Sequence, residues 1–122
     1  MIVGIGVDIC QISRFAAMVE RREGVVRKLF SDKELYQDRI RRPINSLAGY
    51  FAAKEALVKA IRSAPYTWKD VQIIPDSDGA PKFVISDRMS SYIDQLGITT
   101  ILLSISHDAG IAAAFVVCER ES

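Results

Sequence analysis

An α/β fold is the architecture this sequence predicts, with a small, mainly antiparallel sheet packed on one long central helix. Three observations carry it. Residues 2–10 alternate, residues 44–62 repeat apolar side chains at helical spacing, and residues 99–107 and 111–119 are long apolar runs flanking a turn signal. At 122 residues the chain has room for one domain, spanning 1–122. Its 49% hydrophobic and 25% charged residues are those of a globular protein, which excludes disordered and fibrous classes.

In chain order, Val3, Ile5, Val7 and Ile9 point to one side of the first strand, and Gly4, Gly6, Asp8 and Cys10 to the other, leaving one face nearly bare. Ser13 is placed to N-cap a helix running to about Arg22, with Gly24 as its stop and Phe15, Met18 and Val19 on its apolar side. Ser31 and Glu34 have capping-box spacing, in which hydroxyl and carboxylate each satisfy a free backbone N–H. They predict a second helix over 31–40, which Pro43 separates from the next. On the long helix, Leu47, Tyr50, Phe51, Lys54, Leu57, Val58 and Ile61 fall at helical spacing. Ala48, Ala52, Ala56 and Ala60 form an i+4 row that lets a sheet approach closely. Strands 71–75 and 82–85 are joined by Asp-Ser-Asp-Gly-Ala-Pro as a hairpin, and Ser86 caps a short helix that carries Met89, Tyr92, Ile93 and Leu96 up to Gly97. The sheet is expected to collect all five strands: 2–10, 71–75, 82–85, 99–107 and 111–119.

A formal net charge of +1 conceals a segregation. Residues 14–42 hold nine basic and five acidic residues, net +4, while the other seven basic and ten acidic residues sum to −3. That segment suits an acidic macromolecule or a phosphorylated ligand, or else it is a solvated helical face. No apolar run reaches the roughly 18 residues of a membrane helix, and the N-terminus does not resemble a leader, so a cytoplasmic protein is expected. Cys10 and Cys118 lie in apolar strand-like runs without metal-ligand spacing and are expected as buried free thiols.

Four side chains are candidates for chemistry. Asp8 shares the bare strand face with Gly4 and Gly6, where a carboxylate is costly unless it is paired, caps the next helix or binds a cation. Gly4-Ile5-Gly6 is no dinucleotide fingerprint, because no third glycine opens a helix at the required spacing. Glu55 and Lys59 stand one helical turn apart, as a surface ion pair or as two parts of a metal–phosphate site in which Asp8 is the second carboxylate. His107, the one histidine, alternates in line with Ile101, Leu103 and Ile105, a core position except that it ends the strand. No nucleophile sits in an exposed strained turn, so no Ser-His-Asp or Cys-His triad is suggested.

Three segments together resemble the 4′-phosphopantetheinyl transferases of the short holo-acyl-carrier-protein synthase type: Gly4–Ile9 (GIGVDI), Leu47–Ala60 (LAGYFAAKEALVKA) and Ser104–Asp108 (SISHD). Phe30-Ser31-x-x-Glu34 and the run at 112–117 extend the resemblance over essentially the whole chain. It implies transfer of phosphopantetheine from coenzyme A to a serine of an apo carrier protein in fatty acid biosynthesis, with release of 3′,5′-ADP. It also implies Mg²⁺ held by Asp8 and Glu55, Lys59 on phosphate, and His107 in the SxSH motif. Asp8, Glu55, Lys59 and His107 are thus the implied catalytic set, with a water on the cation, Asp8 or His107 as candidate base. Lys59, His107, Arg41, Arg42 and Tyr50 are implied at the coenzyme, and Arg14, Met18 and Arg21 at an acidic acyl carrier protein. A homotrimer with sites between subunits is implied, and neither nucleic acid nor membrane is expected as a partner.

The chain departs from the family pattern in three places. Tyr50 stands where an arginine is usual, Ile61–Pro65 replaces a glycine-rich turn with Arg62 as a compensating cation, and Gly79-Ala80-Pro81 lacks the usual basic residue. Two other classes compete. A ribonuclease-H-like nuclease needs more carboxylates late in the chain and a hairpin directly after Asp8. A non-catalytic docking module for an acidic carrier needs the basic segment but not Asp8, Glu55 and Lys59 together.

Overall fold

The computed structural model describes residues 1–121. The chain runs β1 (Ile2–Gln11), α1 (Ile12–Arg21), α2 (Glu23–Leu29), α3 (Asp32–Leu35), β2 (Tyr36–Gln37), β3 (Ile40–Arg41) and α4 (Ile44–Ile61). After a 3-10 turn (Trp68–Asp70) follow β4 (Val71–Pro75), β5 (Pro81–Ile85), α5 (Asp87–Gln95), β6 (Thr100–Asp108) and β7 (Ile111–Glu119). The main sheet has the order β1-β7-β6, antiparallel throughout, and α4 lies across one face. The expected α/β arrangement is therefore present. No helix among the described residues is long and apolar enough to cross a membrane.

Where α4 comes closest to the sheet, the contact is made of the smallest side chains in the protein. Ala52, Ala53, Ala56 and Ala60 of α4 and Ala112 and Ala114 of β7 are all buried. A Cβ at Gly4 would collide with the Ala60 carbonyl oxygen, and one at Gly6 with that of Ala56. Backbone cannot yield as a flexible side chain does, so Gly6→Ala is expected to lose about 3 kcal/mol or more of stability, measured by denaturant unfolding.

The opposite sheet face is apolar and bare. Ile5, Val7 and Ile9 of β1, Phe115 of β7 and Leu102 of β6 are exposed, with Val7 opposite Phe115 and Val117 between Ile5 and Leu102. Free thiols Cys10 and Cys118 are both buried, as the sequence predicts.

Four local expectations are corrected. α1 starts directly off β1, with Gln11 at the N-cap, its first N–H (Ile12) donating to the Gly110 carbonyl at 3.0 Å, and Ser13 inside the helix. Gly24 does not stop it: the break falls at Arg22, and Gly24 enters α2 because Val26 and Leu29 pull that turn into the core. The Ser31/Glu34 capping box is present, but the helix it starts ends at Leu35. Tyr36–Gln37 then pairs with Ile40–Arg41 around Asp38 and Arg39, both at positive φ (52° and 68°). Finally, β4 and β5 form a separate two-stranded sheet, so the five strands do not make one ladder. Phe83, Ile85 and Ile101 line a groove between β5 and β6, and the sheets meet there through side chains.

Candidate active site

The close approach of β1 to α4 delivers Asp8 to the flank of the helix. Lys59 Nζ donates to Asp8 Oδ1 at 3.0 Å and to the Val7 carbonyl at 3.0 Å. Lys59 thus reaches across to β1, and Glu55 has no salt bridge among the described residues. The simple helical Glu55–Lys59 pair is not formed. Burial first, and the Asp8 charge second, push the Glu55 carboxyl above its ordinary range, with Lys59 partly opposing them. Two carboxylates are therefore held close enough to repel, beside a lysine whose side chain is 55% exposed.

That donor set fits a hard divalent cation. Magnesium commonly takes one or two carboxylates and leaves its remaining positions to water and substrate phosphates. No cluster of three or more His, Cys, Asp or Glu that could hold a metal occurs among the described residues, so a cation at Asp8 and Glu55 would take its other ligands from water and substrate.

His107 is not brought to this group. It registers with Ala112 and so with Cys10, while Asp8 registers with Ala114 and Ile105. Two strands across and two residues along separate them by about 12 Å at ordinary sheet spacing. His107 is exposed at the strand tip, with Nε2 at 2.9 Å from the Asn45 carbonyl. A carbonyl only accepts, so Nε2 carries the proton and Nδ1 is left open.

Around His107 lies the second group. Tyr50 and His107 line one depression with Ser46, Gly79 and Pro81. The Arg42 guanidinium sits 5.5 Å above the Tyr50 ring, donates to Gln37 Oε1 at 3.1 Å, and has its Nε buried without a partner among the described residues. Arg41 turns away, toward Glu23 at 3.4 Å and over the Tyr36 ring. Arg62 ends α4 at φ 58°, a left-handed position that glycine favours.

On α1, Arg14, Met18 and Arg21 fall at i, i+4 and i+7 and share one face. Arg14 and Met18 border a groove floored by Phe15 and Phe51, next to Ile9 and Cys10. One pair escaped the sequence reading: Lys54, inside the FAAKEA segment, is fully buried on Glu34, Nζ to Oε1 at 2.9 Å. The capping box made Glu34 visible, but nothing local signals a partner 20 residues on.

Comparison with known proteins gives the family and the fold. A family model for the 4′-phosphopantetheinyl transferase superfamily matches residues 4–114. The chain is 43% identical to the holo-[acyl-carrier-protein] synthase of Clavibacter sepedonicus (99% of this chain, 98% of that one) and 42% identical to that of Cutibacterium acnes (98% and 99%). Among solved structures, the holo-[acyl-carrier-protein] synthase of Neisseria meningitidis superposes with a TM-score of 0.89 at 30% identity (98% and 100% coverage). The Helicobacter pylori synthase in complex with coenzyme A gives 0.79 at 33% (94% and 99%). The α/β fold, with Asp8 of β1 beside Glu55 and Lys59 of the central helix, is that of a group-transfer enzyme, and the chain belongs to the 4′-phosphopantetheinyl transferase superfamily.

Proposed function

We infer that this protein is an enzyme that transfers the 4′-phosphopantetheine arm of coenzyme A to a serine of apo-acyl-carrier protein, giving holo-carrier protein and 3′,5′-ADP. The observation that carries the reading is the Asp8–Lys59–Glu55 group, in a chain matching holo-[acyl-carrier-protein] synthases over nearly its full length. Asp8 and Glu55 would hold Mg²⁺, which supplies positive charge to the pyrophosphate oxygens when bound. Lys59, anchored on Asp8 yet largely exposed, exchanges that contact for a phosphate oxygen and stabilises the negative charge that develops on the leaving 3′,5′-ADP. Asp8, once Lys59 leaves it, has a free carboxylate oxygen and is the residue of this group that would take the serine proton. Arg42, fixed by Tyr50 and Gln37, and His107 through Nδ1 serve the nucleotide end; Arg41 joins them only by releasing Glu23. A cytoplasmic setting goes with this substrate pair.

A homotrimer with sites between subunits belongs to the same proposal. The bare face of β1, β7 and β6 supports association, because apolar patches of this kind mark interfaces. The separation of His107 from Asp8 supports a site completed by a neighbour.

Incubation with coenzyme A, Mg²⁺ and apo carrier protein should raise the intact mass of the carrier by one phosphopantetheine; an unchanged mass refutes the reading. Arg14, Met18 and Arg21 form the docking face in this scheme. Arg14→Glu should raise the carrier KM by roughly tenfold, on the scale of 1.4 kcal/mol, with the coenzyme KM unchanged. Added salt should mimic it by screening, and an unaltered carrier KM would remove α1 from the interface.

A further inference from the structure

Two family-type motif residues have no part in the scheme above, Glu34 of FSDKE and Lys54 of FAAKEA, and they are bonded to each other at full burial. Every polar atom of the pair is engaged. Lys54 Nζ donates to Glu34 Oε1 at 2.9 Å and to the Trp68 carbonyl at 2.8 Å, and lies 5.5 Å from the Phe30 ring centroid. Glu34 Oε1 also accepts from the Ser31 N–H and Oε2 from the Ile73 N–H, each at 3.0 Å. The segment before α3, the 3-10 turn and β4 are therefore tied to a single point on α4, the residue before Glu55.

A buried ion pair is a poor source of stability, since desolvation offsets most of its attraction and an apolar replacement is often neutral. Its documented use is to fix register. On the sheet side α4 is held by Gly4 and Gly6 against the Ala60 and Ala56 carbonyls, by Ile105 against Gly49 and by Lys59 on the Val7 carbonyl; the Glu34–Lys54 bonds are a separate tie, to the segment before α3, the 3-10 turn and β4. Glu55 and Lys59 face Asp8 only if α4 keeps its axial position.

We propose that Glu34 and Lys54 are positioning residues for the cation site: their bonds tie the residue before Glu55 to the segment before α3, the 3-10 turn and β4, and thereby fix the turn of α4 that sets Glu55 opposite Asp8. The proposal rests on the reading of Asp8 and Glu55 as cation ligands. It predicts a variant that is folded and stable but binds cation badly.

The test is Mn²⁺ binding to the protein alone, followed by loss of the free-ion electron paramagnetic resonance signal well below the thermal midpoint. The variants are Glu34→Gln/Lys54→Met, which removes both charges, and Glu34→Asp, which keeps the charge but shortens the arm. The double variant should retain its circular dichroism spectrum and weaken Mn²⁺ binding at least tenfold; Glu34→Asp should weaken it severalfold. Affinity within twofold of wild type in either folded variant would overturn the proposal, as would failure of both to fold, which would make the pair a requirement of the fold. Asp8→Asn separates the two readings. If it binds Mn²⁺ like wild type, the cation assignment itself fails; if it alone loses binding, only the positioning role fails.

Discussion

Glu55→Gln is expected to lower kcat/KM at least about 10²-fold, the scale on which removal of one preorganised electrostatic group acts, while leaving the fold intact. The amide keeps the shape of the side chain and loses the charge that holds a hard ion. Stability should move the other way. Burial and Asp8 raise the folded-state pKa of Glu55 above its unfolded value, so the folded protein binds more protons between the two values and loses stability as pH rises through that window. At neutral pH without divalent cation, Glu55→Gln should therefore melt higher than wild type, with the difference vanishing below the unfolded pKa and shrinking when Mg²⁺ is added. A variant that is fully active, or less stable at neutral pH, would contradict the assignment.

The second large effect is recovery of activity from two impaired proteins. Asp8→Asn should be inactive, and His107→Ala should be impaired at low coenzyme A because a contact made alike in ground and transition states raises KM with less effect on kcat. If each site takes Asp8 from one subunit and His107 from another, random co-assembly of equal amounts leaves about a quarter of the sites with both. Co-refolded mixtures should then turn over at that fraction of the wild-type rate at low coenzyme. Activity no higher than the sum of the separate variants would place the whole site in one chain.

Much of this was legible in the sequence where spacing and chemistry coincide. The β1 alternation with Gly4 and Gly6, the α4 period and the alanine row predicted the sheet-on-helix contact, and that contact brings Asp8 beside Lys59 and Glu55. What escaped depends on competition between neighbours. Ser13 has the right side chain for a cap but lies inside a helix that starts directly off the strand. A good capping box at Ser31 could not hold a helix past Leu35, because Tyr36 and Gln37 find strand partners across a two-residue turn. Lys54 reads as one more periodic position, and its burial on Glu34 is a tertiary fact.

The chemistry turns on Asp8 and Glu55 holding one divalent cation against the coenzyme pyrophosphate. A crystal structure with coenzyme A and Mn²⁺, with data collected at the manganese absorption edge, tests it most directly. One anomalous peak is expected within direct bonding distance, roughly 2 Å, of a carboxylate oxygen of each residue, beside the pyrophosphate, with Lys59 moved from Asp8 to phosphate. Coenzyme bound with no peak between Asp8 and Glu55, or with the peak on other ligands, would contradict it.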